Sequence, residues 1–174
     1  MAQDTGKENA VARVVLGLGD DISTDAIYPG RFMATVLPGE TPQFAFADYT
    51  EFNARLRKKE IAPGSVIVAA ANFGCGSSRE QAVSTLKGYD LIIVAKGFAR
   101  IFLQNAANLG LLTIACRDIE ASEGDELEIH PDEVLNRTTG LRFPIQALPP
   151  AKQAIMAAGG LIPYTRKRLM EKHA

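Results

Sequence analysis

The chain predicts a single α/β domain: a mostly parallel sheet flanked by helices, with an antiparallel addition near its end. Three observations predict this. Short runs rich in Val, Ile and Leu recur at 66–71, 91–95 and 111–115. Segments of helical character, ending at Gly88 and Gly110, separate them. Alternation of this kind marks a parallel sheet covered on both faces. Beyond residue 124 polar and apolar residues alternate singly instead, as they do in antiparallel strands with one wet face.

Each element follows in order. VARVVLGL (11–18) reads as the first strand. The connection after it, GDDISTDAIYPGRFMATVLPGETP, is long for a compact domain, and long loops are usually functional or mobile. Phe44 to Lys59 reads as a helix, because Ala45, Tyr49, Phe52 and Leu56 recur at helical spacing. Its basic end, Arg55 to Lys59, suits the negative pole of a helix dipole. Ala62-Pro63-Gly64 is a turn. Strand 66–71, helix Ser77–Gly88, strand Leu91–Ala95, helix Phe98–Gly110 and strand Leu111–Ala115 come next. Asp125–His130 and Leu141–Ile145 are strands around a turn at Asn136–Gly140, and Ala151–Ala158 is a last helix. The expected divisions are a tail at 1–10, one domain at 11–165 and a basic tail at 166–174.

Bulk properties exclude several functions. With 174 residues, 47% hydrophobic and 22% charged, the chain has the composition of one well-cored globular domain. A net charge of −1 gives no electrostatic basis for a nucleic acid or an anionic membrane as the main partner. No apolar run reaches the ~18 residues of a membrane span. The opening MAQDTGKENA has neither the apolar core of a secretory signal nor the acid-poor character of a transit peptide, so a cytoplasmic protein is expected. Two cysteines, Cys75 and Cys116, and two histidines, His130 and His173, are too few for a disulfide framework or a metal centre.

NFGCGSSRE (72–80) is the stretch richest in chemistry, lying between a strand and a helix. It lacks the lysine of a phosphate loop and the third glycine of a dinucleotide fingerprint. It is not G-x-S-x-G either, and a serine hydrolase would have to use His130 as its base. Cys75 at a helix start has the position of a reactive thiol, or of a small buried residue. A carboxylate clamp fits best. Gly74 and Gly76 let the backbone turn tightly and let a ligand approach it. Ser77 or Ser78 caps the helix, whose free amides attract anions. Arg79 adds a planar fork that matches a carboxylate. The alternative is a plain capped helix with Arg79 as a surface charge. The acid-rich loop Asp20–Arg31 has the early spacing of a calcium loop, but Ala26 and Phe32 occupy its glycine and final glutamate positions. What remains is a loop ending in a lone Arg31, suited to a second carboxylate contact and a lid. Two arginines, two serines and no ligand set point to a small di- or tricarboxylate and to an active site only partly built by this chain.

Three motifs carry a family resemblance: D-x-x-[ST]-T-D-x-I-x-P-x-R (Asp20 to Arg31), NFGCGSSRE, and K-G-F-A-R-I-F-x-x-N-x-x-N-x-G-L (Lys96 to Leu111). Together they resemble the small subunit of 3-isopropylmalate dehydratase, the swivelling-domain half of the aconitase superfamily. The likeness covers about residues 11–165. It implies a swivelling β/β/α domain and a hydro-lyase that moves a hydroxyl between neighbouring carbons, in leucine biosynthesis. It implies a large partner subunit, in a heterodimer or heterotetramer, whose [4Fe-4S] cluster supplies Lewis-acid chemistry, with no cofactor on this chain. By position, Ser77 matches the serine whose alkoxide takes the proton from carbon. Arg79 matches the arginine that binds carboxylate and stabilises that serine. Ser78, Gly76 and Arg31 match substrate contacts, and Asp25 a polar support among them. Phe32, Met33, Ala34 and Thr35 fall in the substrate-discriminating loop. Small, apolar Ala34 favours an isopropyl-type substrate over homoaconitate, with dimethylmalate and methylmalate types still open. One departure is Gln81, where the family usually has histidine. A non-catalytic dicarboxylate-binding module is the competing class. The lid reading makes two structural demands: in the free chain, 30–39 should be mobile and Arg31 should lack an internal partner.

Overall fold

The computed structural model describes residues 11–172; the segment 1–10, expected as a tail, lies outside the described residues. One seven-stranded sheet has the order β4-β3-β2-β1-β5-β6-β7. Its strands are β1 (Val11–Leu18), β2 (Val66–Ala69), β3 (Ile92–Ala95), β4 (Thr113–Ala115), β5 (Glu126–Ile129), β6 (Glu133–Asn136) and β7 (Arg142–Pro144). β1 to β4 are parallel, and β5 to β7 form an antiparallel ladder on the other side of β1. The long β1 serves both halves. Val11–Arg13 pair with β5, and the stretch from Val14 to Leu18 pairs with β2.

β2 is buried along its whole length, VIVA, because both of its faces are covered. Ile67 and Ala69 face a core shared with the helices α2 (Thr50–Arg57), α3 (Glu80–Lys87) and α4 (Arg100–Leu109), through Phe52, Leu86 and Phe102. Val66 and Val68 face a second core with Ile114, Leu127, Val134 and Phe143. The α/β class is therefore as expected, but the second face is covered by the curled antiparallel strands and not by helices. Their single-residue alternation places Leu127, Val134 and Phe143 on one apolar face, which the parallel half buries.

Three elements depart from the sequence reading. The helix expected from Phe44 begins only at Thr50, after a 3-10 turn at Thr41–Phe44. Phe46 (φ 51) turns the chain there and sits in the core, edge-on to Tyr49 and Phe52. Its burial outweighs the cost of a left-handed backbone. β6 occupies part of what reads as a plain connection between two strands. After α5 (Pro150–Ala157), a further helix, α6 (Leu161–Lys172), runs through the expected domain boundary at 165. The short helix α1 (Thr24–Ile27) lies inside the long loop after β1.

Candidate active site

The three motifs meet at the carboxyl edge of the parallel strands, where β1, β2 and β3 run out into 19–31, 70–79 and 96–99. Open α/β sheets bind ligands at this edge. Backbone hydrogen bonds stitch the three segments together. Gly74 N–H donates to Ile22 (2.7 Å), Thr24 N–H to Cys75 (2.8 Å) and Asp21 N–H to Ala71 (2.9 Å). On the other side Phe73 N–H donates to Gly97 (3.0 Å), and Ala99 N–H to Phe73 (2.9 Å). Gly74 (φ 80) is required twice over, since a Cβ there would lie 2.2 Å from the Phe102 ring. Gly76 (φ 91) takes a second left-handed turn, which exposes the chain at Ser77 and Ser78.

The two serines do not cap α3. The backbone stays extended through Arg79, which holds the N-cap position without a side-chain cap. Both hydroxyls are thus left to other partners. Ser77 Oγ lies 3.2 Å from Thr24 Oγ1, and Thr24 Oγ1 also donates to the Ser77 carbonyl (3.1 Å). The Ser78 carbonyl accepts from Asn105 Nδ2 at 3.4 Å. Arg79 is 20% exposed; its Nη1 donates to Asp25 Oδ1 and, at 3.2 Å, to the Tyr28 carbonyl. Nη2 and Nε make no hydrogen bond among the described residues, so two of its three nitrogens lack a hydrogen-bond partner there. Asp25 Oδ1 also accepts from Gly30 N–H (2.8 Å). The Arg79 guanidinium, and after it the Gly30 amide, hold the Asp25 carboxyl below its ordinary range. Asp25 therefore ties the base of the 30–39 loop to the arginine, while Ser77, Ser78 and Arg79 face outward on one wall.

Arg31 is not brought to that wall. Its two nitrogens grip Asp48 at 2.6 and 3.2 Å, and its guanidinium lies over Phe32. The expectation of an unpaired Arg31 is not met. Both partners are about half exposed, at 53% and 57%. Hydrogen bonding to Asp48 pushes the Arg31 pKa up and the Asp48 pKa down. Within the discriminating loop, Phe32 stacks on Phe44 (centroids 4.1 Å apart) and Thr35 is half-buried, its carbonyl accepting from Tyr28 Oη at 3.2 Å. Met33 and Ala34 are exposed. Gln81 lines a crevice with Val36, Pro38 and Leu109, beneath the loop.

The remaining candidates lie apart. His130 follows β5 in the antiparallel half, its Nε2 3.5 Å from Glu128 Oε1, beside a cavity of ≈ 250 Å³ lined by Ile114, Ile129 and Met156. Ser77 hydrogen-bonds to Thr24 instead, which leaves the His130 hydrolase reading without a geometric basis. Cys75 is half-buried and forms an isolated bridge with Ser23; Cys116 lies in the other core, where burial pushes its thiol up to about 11. No group of three or more His, Cys, Asp or Glu gathers among the described residues. These side chains do not fit an iron–sulfur cluster. Nor is any helix among the described residues long and apolar enough to cross a membrane. Thr24 and Asp48, the partners of Ser77 and Arg31, carry no signal of those pairings in the sequence. Nothing in Ser23-Thr24-Asp25 says which side chain turns toward Ser77, and Asp48 is 17 residues from its partner.

Ser77, Ser78 and Arg79 thus share one wall, with both serines exposed. Residues 31–119 match the family of the aconitase C-terminal domain. The chain is 43% identical to the isopropylmalate/citramalate isomerase small subunit of Methanocaldococcus jannaschii, over 88% of this chain and 92% of that protein. It is 40% identical to the 3-isopropylmalate dehydratase small subunit of Methanosarcina mazei, over 88% and 95%. It is 39% identical to the methanogen homoaconitase small subunit of M. jannaschii, over 86% and 88%. A crystal structure of 3-isopropylmalate dehydratase from M. jannaschii superimposes with a TM-score of 0.84 at 38% identity, over 94% of this chain and 96% of that one. The chain belongs to the aconitase C-terminal domain family.

Proposed function

We propose that this chain is the small subunit of an isomerising hydro-lyase that interconverts 2-isopropylmalate and 3-isopropylmalate in leucine biosynthesis. It works in the cytoplasm with a large subunit that carries the [4Fe-4S] cluster. The observation that carries the reading is the one-sided wall. Ser77 and Ser78 are exposed and Arg79 is anchored by Asp25 with Nη2 and Nε unpaired among the described residues, which supports a site completed by a second subunit.

This chain's own chemistry is proton transfer and carboxylate binding. The proton to be removed is alpha to a carboxylate. Ser77 Oγ takes it as an alkoxide; the C–H electron pair enters the new double bond as hydroxide leaves the neighbouring carbon. A serine without histidine works as a base only if nearby donors stabilise its oxyanion. Arg79 is the charged donor on hand, and its open nitrogens are suited to a substrate carboxylate. Arg31 joins as a second carboxylate contact after leaving Asp48. Exposed, uncharged Ala34 supports an apolar substituent over an extra carboxylate. The names of the relatives keep citramalate and homoaconitate in view, and one methyl is worth only about 1–3 kcal/mol of discrimination.

The test is reconstitution with an iron–sulfur large subunit, assayed on a panel of 2-hydroxy di- and tricarboxylates. Ser77→Ala should lower turnover about 10²–10⁴-fold without loss of assembly. Full turnover by the variant would remove Ser77 from the chemistry. Binding without turnover in the wild-type pair would make the chain a carboxylate-binding module.

A further inference from the structure

We infer that Thr24 is a positioning residue for Ser77, a neutral hydroxyl that accepts from Ser77 at rest and donates to it once the serine has lost its proton. The inference rests on Ser77 being the base, and adds a second donor to the charged Arg79.

The argument is a proton inventory. A hydroxyl has one proton and two lone pairs. Thr24 Oγ1 lies 3.1 Å from the Ser77 carbonyl and 3.2 Å from Ser77 Oγ. The carbonyl only accepts, so that contact uses the threonine proton. The contact between the two hydroxyls must then use the serine proton. When Ser77 becomes an alkoxide it has only lone pairs, and the second contact survives only if Thr24 turns its proton toward it. The two acceptors are almost equidistant, so rotation about one C–O bond suffices and no heavy atom moves. The released Ser77 carbonyl lies in an exposed stretch where water can serve it. The bond gained is charge-assisted, and roughly twice as strong as the neutral one given up.

The surroundings keep Thr24 for this task. It is 2% exposed, and its own N–H is fixed to the Cys75 carbonyl at 2.8 Å. Branching at Cβ restricts its rotamer. Its neighbours are engaged elsewhere: Ser23 Oγ caps α1 through Ala26 N–H at 3.0 Å, and Asp25 holds Arg79 and Gly30. Of the three consecutive polar side chains, Thr24 alone reaches Ser77. The serine proton is first released to solvent, to which Ser77 is exposed; afterwards it shuttles between Ser77 Oγ and carbon, and the Thr24 proton reorients at each transfer.

The experiment compares Thr24→Val, which keeps shape and removes the hydroxyl, with Thr24→Ser in the complex reconstituted with the large subunit. Thr24→Val should lower kcat on the order of 10–10²-fold, since losing one oxyanion donor costs up to about 10²–10³. KM should stay within about twofold and the acidic limb of the pH–rate profile should move to higher pH, because the alkoxide loses a donor. Thr24→Ser should recover most of the turnover and return the limb. Should Thr24→Val fail to assemble, Thr24→Ala is read at the same limb. An unmoved limb, or equal losses in the valine and serine variants, overturns the inference and leaves Thr24 a structural tie between two loops. Ser77→Ala is run alongside: full activity there removes the base itself, and the role of Thr24 with it.

Discussion

The 72–80 turn and the 30–39 loop each present an arginine gripped by an aspartate, yet they are built differently. The turn is stitched on both sides by backbone hydrogen bonds, and Phe102 packs against Gly74. Its Arg79 is 20% exposed and donates a second hydrogen bond to the Tyr28 carbonyl. In the loop, Val36 and Leu37 are exposed and Arg31 touches Asp48 from a half-exposed position. Similar ion-pair chemistry thus gives a fixed wall in one place and a detachable contact in the other. Exposed pairs of the second kind are worth little, typically below about 1 kcal/mol. Under the proposed function, a substrate carboxylate would displace Asp48 at small cost, whereas Arg79 would need no rearrangement to receive one. The Arg31–Asp48 pair counts against the lid reading, which requires an unpaired Arg31.

The largest effect should come from the fixed wall. Gly74→Ala adds a methyl where the Phe102 ring already stands, on a backbone that L residues avoid. Overpacking and a left-handed alanine together should cost about 3 kcal/mol or more. Thermal unfolding of the isolated chain measures this, and an unchanged midpoint would show that the turn is not rigid.

Asp25→Asn should come next. Asparagine still offers an oxygen to Gly30 N–H but loses the charge that aims Arg79. Turnover in the reconstituted pair should fall on the order of 10–10²-fold, the usual cost of a displaced catalytic contact. The thermal midpoint should barely move, because Asp25 is exposed. Unchanged kinetics would mean that Tyr28 alone positions the arginine.

Asp48→Asn should be smaller and of opposite sign. It frees Arg31 from a competing carboxylate, so KM should fall about 1.5–5-fold, the range that an exposed pair supports. A rise in KM would mean instead that Asp48 aims Arg31 at the substrate.

The same contrast explains how much could be read from the chain. Buried parallel strands show as continuous Val/Ile/Leu runs, so β2, β3 and β4 were legible, as was the alternation of β5 and β7. Phe46 was misread as helical because its place in the core is set by tertiary packing, not by local propensity. Ser77, Arg79 and Asp25 stand out as candidates because they lie in dense motifs, and the structure brings Asp25 to Arg79 and Thr24 to Ser77. The Arg31–Asp48 pair was not legible, since two surface charges in different turns leave no periodic trace. Ser77 and Ser78 pass for capping residues in sequence, and only the extended backbone at Arg79 shows that the helix leaves their hydroxyls free.

Acid titration separates the two pairs with the smallest perturbation. Both aspartates are held below the ordinary value of 3.8 by their arginines, so each pair is fully present above that pH. A depressed native pKa means that the stabilisation is lost as pH falls through the lowered value. Asp25 has a further donor in Gly30 N–H, whereas nearby Asp25 works against ionisation of Asp48. Asp48 should therefore take up its proton first, releasing Arg31 while Arg79 is still held. Carboxyl carbon NMR across the acid range measures the order directly, and Asp25 protonating first would reverse the assignment of wall and latch. Neither group titrates near neutrality, so an acidic limb in the activity profile above about pH 5 cannot arise from these pairs. That leaves the limb free to report on the Ser77–Thr24 hydroxyls or on the partner subunit.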